Sequence, residues 1–259
     1  MTALPALFVS HGSPGLVLEA APARDFLAGL GAGLPRPAAI LAVSAHWETA
    51  APMVTGALAP ETIHDFHGFP EALYRLRYPA PGDPALAARI ASLAGGGVDP
   101  RRGLDHGAWS PLLLAYPQAD IPVLQLSIQP DRGPAHHLEI GRRLAPLRHE
   151  GVLIFASGSA THNIMGFARQ GVNAPPLPWV AAFADWLDSA IAGARLEDLL
   201  DYRARAPFAA ENHPTDEHLL PLYVALGAGG AVGGGAVAGR PLHRSYNYAK
   251  LAMDSYAWG

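Results

Sequence analysis

The segment PALFVSHGSP, residues 5–14, contains a short and continuous apolar run that ends just before a histidine. Apolar runs of this length, bounded by turn residues, are typical of strands buried on both faces of a helix-covered sheet. The same pattern recurs at residues 38–45, 121–128 and 151–157. We therefore predict four buried strands, of which residues 5–10 form the first.

Amphipathic segments lie between and after these strands, and they predict helices at residues 21–30, 84–93, 134–147, 178–191 and 215–226. Alternating strands and helices predict an α/β fold with a central mixed, largely parallel sheet flanked by helices. A chain of 259 residues that is 50% hydrophobic can bury one large core, so we expect a single domain over residues 1–259. Residues 227–235 are rich in glycine and predict a loop.

The composition excludes several classes of protein. The chain has no cysteine, which excludes disulfides, thiolate nucleophiles and cysteine-bound zinc, so any metal must use nitrogen and oxygen ligands. Its net charge is -4 and it has no basic run, which argues against nucleic acid as a partner. It contains neither a signal-peptide pattern nor an apolar run of about 18 residues, so we expect a cytoplasmic protein without a membrane partner.

Three histidines follow the predicted strands. His11 and His46 come directly after the first and second strands, and His162 follows the fourth strand after a short loop. Ligands of open α/β sheets bind at the carboxyl ends of the strands, and imidazole is a common ligand of iron and zinc. The pattern predicts a metal or acid-base site. For any one of these histidines, the alternative is a hydrogen-bonded ring at a strand end.

The segment AENHPTDEHLLPL, residues 210–222, adds two more candidates, His213 and His218. We predict that Thr215 caps the last helix and that His218 lies in its first turn, where a ligand is well placed. The alternative is a capped helix whose acidic residues complement the helix dipole. The spacing alone does not choose between His213 and His218.

Several motifs in order along nearly the whole chain resemble one family: PALFVSHGSP, ILAVSAHWE, TIHDFHGFPEALYRLRYPAPG, LDHGAWSPL, PVLQLSIQP, SGSATHN and PTDEHLLPL. The sequence is similar to the class III extradiol dioxygenase superfamily, which includes the β subunit of protocatechuate 4,5-dioxygenase. It resembles most the branch of DOPA 4,5-dioxygenase-like enzymes. The resemblance implies that the single domain is catalytic.

The resemblance also implies roles for individual histidines. It implies that His11, His46 and His218 bind the metal ion, and it favours His218 over His213. It further implies that His162 is a catalytic acid-base or an additional metal ligand, and that His106 is a second catalytic histidine.

Two histidines in the TIHDFHGFP motif have less defined places. His64 belongs to the motif, and the alternative for it is a ring bonded to a loop carbonyl. His67 stands where family members often have glycine, so we assign it no role.

The activity implied by the resemblance is opening of a catechol-type ring, DOPA-like or similar, by Fe(II) and O2 to a muconic semialdehyde. Zinc binds imidazole well and can occupy the same site in purified protein, but it has no redox chemistry. The alternatives are a zinc-dependent hydrolase that uses the same histidines and a metal-binding protein without turnover. The partners expected are a small aromatic diol and O2, and we expect a monomer or a homodimer.

The sequence offers two sets of candidates for substrate contacts. Aromatic residues suited to an aromatic ring, for which the core is the alternative, are Trp47, Trp109 and Tyr246. Arginines that could meet a substrate carboxylate, for which a solvated surface is the alternative, are Arg75, Arg77 and Arg244.

Overall fold

A computed structural model of the chain describes residues 3–165, 170–230 and 237–259. Its strands are β1 Ala6–Ser10, β2 Ala39–Glu48, β3 Met53–Thr55, β4 Gly97–Asp99, β5 Val123–Ile128, β6 Val152–Gly158, β7 Arg240–His243, β8 Tyr246–Asn247, β9 Leu251–Ala252 and β10 Ser255–Trp258. Its α-helices are α1 Pro22–Leu30, α2 Glu71–Tyr74, α3 Pro84–Ala94, α4 His106–Ala115, α5 Gly133–Leu144, α6 Pro178–Ala192, α7 Leu196–Leu200, α8 Tyr202–Arg205, α9 Ala209–Asn212 and α10 Leu220–Gly229.

Eight strands form the main sheet in the order β4-β3-β5-β2-β6-β1-β10-β7, and β8 pairs with β9 in a separate ladder. The four central strands, β5, β2, β6 and β1, are parallel to one another. β3 runs antiparallel to β5, and β10 runs antiparallel to β1 and β7. These central strands are the four that the apolar runs predict, so the α/β fold with a mixed, largely parallel sheet is confirmed.

Helices cover both faces of the sheet. Leu41 and Val43 of β2 pack into the core beneath α3, α5, α6 and α10, whereas Ile40 and Ala42 pack into the core beneath α1 and α4. Both faces of the central strands are therefore buried, which explains their continuous apolar runs. Among the residues that the structure describes, no helix is long and apolar enough to cross a membrane.

The start of the last helix differs from the prediction. The predicted cap at Thr215 is wrong, because α10 begins at Leu220, after a turn in which the amides of Leu219 and Leu220 donate to the Asp216 carbonyl. Pro221 lies in the first turn of the helix, where its missing N–H costs no hydrogen bond. His218 is thus in the turn that precedes α10.

The predicted loop at residues 227–235 is partly wrong, because Gly227 and the two residues after it are helical. A Cβ at Gly227 would lie 2.1 Å from the Leu138 carbonyl oxygen of α5, and one at Gly141 of α5 would lie 2.2 Å from the Val224 carbonyl oxygen. Glycine is needed here so that α5 and α10 can pack closely, not for a turn. Residues 231–235 lie outside the described ranges.

Candidate metal centre

Six histidines line one cavity of about 490 Å³ at the carboxyl edge of the parallel strands, and five of them are candidates from the sequence. These five candidates are His11 after β1, His46 within β2, His106 at the start of α4, His162 after β6 and His218 before α10. The structure therefore brings together every histidine to which the sequence analysis gave a catalytic or metal-binding role.

Ring nitrogens of three of these histidines converge. The Nε2 atom of His46 is 3.1 Å from Nε2 of His11 and 3.3 Å from Nε2 of His218. The candidate ligand atoms of the three residues all lie within 4.8 Å of one another. Three imidazoles at this spacing suit one shared transition-metal ion.

Hydrogen bonds on the far side of two rings fix which nitrogen carries the proton. The Ser157 hydroxyl donates to a backbone carbonyl, so it accepts from Nδ1 of His11 at 2.9 Å. Glu217 Oε1, an acceptor, lies 2.9 Å from Nδ1 of His218. The Nε2 atoms of His11 and His218 therefore both carry lone pairs, and Nε2 of His46 can offer them at most one proton. One proton cannot satisfy both short contacts of His46. A cation shared by the three nitrogens therefore fits this arrangement.

Burial keeps the three converging imidazoles neutral. It lowers the pKa of His11, His46 and His218 well below the usual value, and neighbouring imidazoles lower it further. The neutral ring is the form that binds a metal ion.

A buried polar network ties β2 to the start of α4. Asp105 is fully buried and accepts from the Ser44 hydroxyl at 2.6 Å and from the Gln125 amide. The Ser44 hydroxyl also accepts the backbone N–H of His46 at 3.2 Å. Burial raises the pKa of Asp105, and its hydrogen bonds oppose that rise. The network holds together the two elements that carry His46 and His106.

Asp65 is a functional candidate that the sequence analysis missed. Its Oδ1 accepts the backbone N–H of His106 at 2.9 Å and lies 2.9 Å from Nδ1 of the same residue. Its Oδ2 lies 3.8 Å from Nδ1 of His46. Burial opposes ionisation of Asp65, but the contacts with His106 and the proximity of His46 outweigh it and lower its pKa to about 2. The feature of the sequence that could have indicated this role is that Asp65 belongs to the TIHDF motif.

His162 lies beside the three converging histidines. Its ring stacks on that of His218, with centroids 3.2 Å apart and planes 13° apart, and its Nδ1 lies 3.8 Å from Glu217 Oε1. Burial, together with His213 and His106, lowers the pKa of His162 to about 3. A ring nitrogen of His162 lies within 4.8 Å of candidate ligand atoms of Glu217 and His218. His162 does not belong to the group formed by His11, His46 and His218.

Two other histidines lie away from this group. His213 is fully buried in the core, and its Nε2 donates to the Ala160 carbonyl at 3.0 Å. Nε2 of His64 lies 3.1 Å from the Leu76 carbonyl oxygen. This contact matches the alternative given for His64, a ring bonded to a loop carbonyl. His67, to which we assigned no role, lines the cavity.

The three aromatic candidates for substrate contacts lie away from the cavity, in line with the alternative given for them. Trp109 is fully buried and donates to the Ile63 carbonyl, Trp47 packs beneath Arg102, and Tyr246 lies in β8. None of the three lines the cavity. Its aromatic wall is formed by Phe66 and Phe69, and Ile164 and Leu251 add aliphatic surface.

The three arginines also lie away from the cavity wall. Arg75 pairs with Glu71 at 3.6 Å, Arg77 donates to the Tyr74 carbonyl at 2.7 Å, and Arg244 pairs with Asp185 at 2.7 Å. No described lysine or arginine lines the cavity, so its polar lining consists of histidines, serines and carboxylates.

An α/β sheet that gathers neutral imidazoles in a cavity at its carboxyl edge is typical of enzymes with a single bound metal ion. Comparison with known families narrows this class. The family described as the catalytic LigB subunit of aromatic ring-opening dioxygenase matches residues 7–253. The chain belongs to this family and is an extradiol ring-opening dioxygenase.

Relatives agree with this placement. The chain is 44% identical over 260 residues to 4,5-DOPA dioxygenase extradiol of Beta vulgaris, covering 96% of this chain and 94% of the relative. It is also 44% identical over 234 residues to 4,5-DOPA dioxygenase extradiol of Escherichia coli K12, covering 88% and 86%. A solved structure of an uncharacterized E. coli K12 protein superposes with a TM-score of 0.79 at 35% identity, covering 99% of this chain and all of the other.

Proposed function

We propose that the chain is an Fe(II)-dependent extradiol dioxygenase that opens the ring of a DOPA-like catechol with O2 to give a muconic semialdehyde. The observation that carries the proposal is the convergence of the Nε2 atoms of His11, His46 and His218 inside the cavity. These three residues would hold the ion. Iron there would supply the redox chemistry that O2 requires and that zinc lacks.

The cavity suits a small aromatic diol. Its volume of about 490 Å³ is in the range of small-molecule sites. Phe66 and Phe69 offer ring surfaces against which a catechol ring can stack. The relatives named for DOPA favour a DOPA-like catechol, so DOPA is the first substrate to test.

His162 is proposed as the acid-base and not as a fourth ligand. It lines the cavity, and a neutral imidazole has a nitrogen lone pair that can accept a proton from a catechol hydroxyl. His106 lines the same cavity with its Nδ1 beside Asp65, which leaves its Nε2 to contact a substrate oxygen. Both residues are thus proposed to handle substrate protons.

The test is anaerobic loading of the metal-free protein with Fe(II), followed by a panel of catechols that includes DOPA and protocatechuate. Oxygen uptake matched by a yellow ring-opened product is the expected result. We expect His11→Ala to lose iron and activity together, and His162→Ala to keep iron but lose turnover. No uptake with any catechol, combined with ester hydrolysis by the zinc-loaded protein, would reject the proposal in favour of a zinc hydrolase.

A further inference from the structure

We propose that two acidic residues, Asp65 and Glu217, position the histidines of this site and that their tasks differ. Glu217 orients His218 and thereby sets the affinity for the metal ion. Asp65 orients His106 and thereby sets turnover of the bound substrate. The inference rests on the proposed function, because it takes His218 as a metal ligand and His106 as a substrate contact.

Glu217 is paired with His218. Oε1 of Glu217 lies 2.9 Å from Nδ1 of His218, and the carboxylate is mostly enclosed, with 16% of its side chain exposed. A carboxylate can only accept, so it holds the proton on Nδ1. The lone pair of Nε2 then points into the group of converging nitrogens, 3.3 Å from Nε2 of His46.

Asp65 is paired with His106. Oδ1 of Asp65 lies 2.9 Å from Nδ1 of His106 and accepts the backbone N–H of that residue at the same distance. One oxygen therefore contacts both the ring and the first peptide N–H of α4. The other oxygen lies 3.8 Å from Nδ1 of His46, which is too far for a hydrogen bond.

The two carboxylates are thus arranged in opposite ways. Each lies beside one of the proposed metal ligands and one other histidine, but Glu217 makes its short contact with the ligand and Asp65 makes its short contact with the other histidine. Partners of a metal-bound imidazole tune metal affinity, commonly by about 10-fold to 100-fold. The partner of an imidazole that does not bind the metal ion does not tune metal affinity in this way.

Glu48 provides a matched control. It lines the same cavity, yet its carboxylate makes no hydrogen bond or ion pair with any residue in the described ranges. Glu48→Gln therefore removes one negative charge from the cavity wall without removing a partner from any imidazole. It separates the effect of positioning from that of charge alone.

The experiment compares Glu217→Gln, Asp65→Asn and Glu48→Gln with the unaltered chain. Zn(II) affinity of the metal-free proteins is measured by competition with a chromophoric chelator, which requires no turnover. Next, kcat and KM for DOPA are measured at saturating Fe(II). Unfolding of the metal-free proteins shows whether each variant keeps its fold. If Glu217→Gln does not fold, Glu217→Asp replaces it, since this change keeps the charge but shortens the reach to His218.

We expect Glu217→Gln to weaken Zn(II) binding by about 10-fold to 100-fold, and the other two variants to stay within about threefold of the unaltered chain. We expect Asp65→Asn to lower kcat at saturating Fe(II), where Glu217→Gln recovers most of its activity. Equal Zn(II) affinity of Glu217→Gln and Glu48→Gln would overturn the inference. So would a loss of affinity in Asp65→Asn as large as that in Glu217→Gln. An unaltered chain that binds Zn(II) but opens no catechol would count against the proposed function, and the affinities would still decide the task of Glu217.

Discussion

The Nε2 atoms of His11 and His46 lie 3.1 Å apart, although the strands that carry them, β1 and β2, are not neighbours in the sheet. β6 lies between them and pairs in parallel with both. It contributes Ser157, whose hydroxyl accepts from Nδ1 of His11. The middle strand thus supplies a partner for a proposed ligand, and its neighbours supply the imidazoles.

Ser157→Ala should weaken metal binding. The hydroxyl keeps the proton of His11 on Nδ1 and the lone pair on Nε2, so its loss should raise the dissociation constant by about 10-fold or more. Zinc competition on the metal-free protein measures this. Ser159→Ala is the control, because this hydroxyl lies in the same cavity but donates to the Thr161 carbonyl at 2.7 Å. Equal effects of the two changes would contradict the prediction.

His46→Ala should abolish tight metal binding, because Nε2 of His46 makes both short contacts in the group of converging nitrogens. Metal analysis after Fe(II) or Zn(II) loading measures the bound ion per chain. His149→Ala removes an exposed histidine in the segment before β6 and should bind metal as the unaltered chain does. Retention of one tightly bound ion in His46→Ala would show that the site lies elsewhere.

Gly227→Ala should destabilise the protein by several kcal/mol, because the added methyl would meet the Leu138 carbonyl at 2.1 Å and push α10 away from α5. The midpoint and slope of urea unfolding measure the change. Gly29→Ala in α1 is the matched control, since no atom lies within 4 Å of the added methyl. Alanine there should be neutral or stabilising by about 0.5–1 kcal/mol, because it favours a helix more than glycine does. Equal effects at the two positions would reject the packing argument.

His137 should make the protein less stable in acid. Burial is the main cause that lowers the pKa of His137 to about 4, below the usual 6.5. Between these two pH values the unfolded chain binds the extra proton, so the free energy of unfolding should rise as pH rises from 4 to 6.5, by roughly 3 kcal/mol from this group. Two hydrogen bonds hold the neutral ring of His137 in α5. Nε2 accepts from the backbone N–H of Gln129 at 3.1 Å, and Nδ1 donates to the Gly133 carbonyl at 2.7 Å.

The measurement for His137 is urea unfolding at several pH values for the unaltered chain and for His137→Gln. Other buried histidines contribute to the pH dependence of the free energy of unfolding in both proteins. The difference between the two pH dependences therefore isolates the contribution of His137. We expect the variant to have the shallower dependence between pH 4 and 6.5. Superimposable dependences would contradict the prediction.

Several parts of the fold could not be predicted from the sequence. The short strands β3, β4 and β7 contain only three or four residues each, and they lie towards the edges of the sheet. A short strand at or near the edge of a sheet has little buried surface, and the outermost strand is paired on one side only, so neither leaves a long apolar run. The helix α4 was also missed, because eight of its ten residues are buried and it has no polar face that would reveal a helical period.

The sequence by itself determined the four central strands and the histidines that follow them, except that β2 continues to Glu48 and so contains His46. Their apolar runs follow from burial on both faces, and ligand sites of α/β sheets form where such strands stop. Only the tertiary structure decided which carboxylate meets which imidazole. Asp65 meets His106 from 41 positions away, and Ser157 meets His11 from 146 positions away. Contacts of this kind depend on how separate elements pack, and no local periodicity in the chain records them.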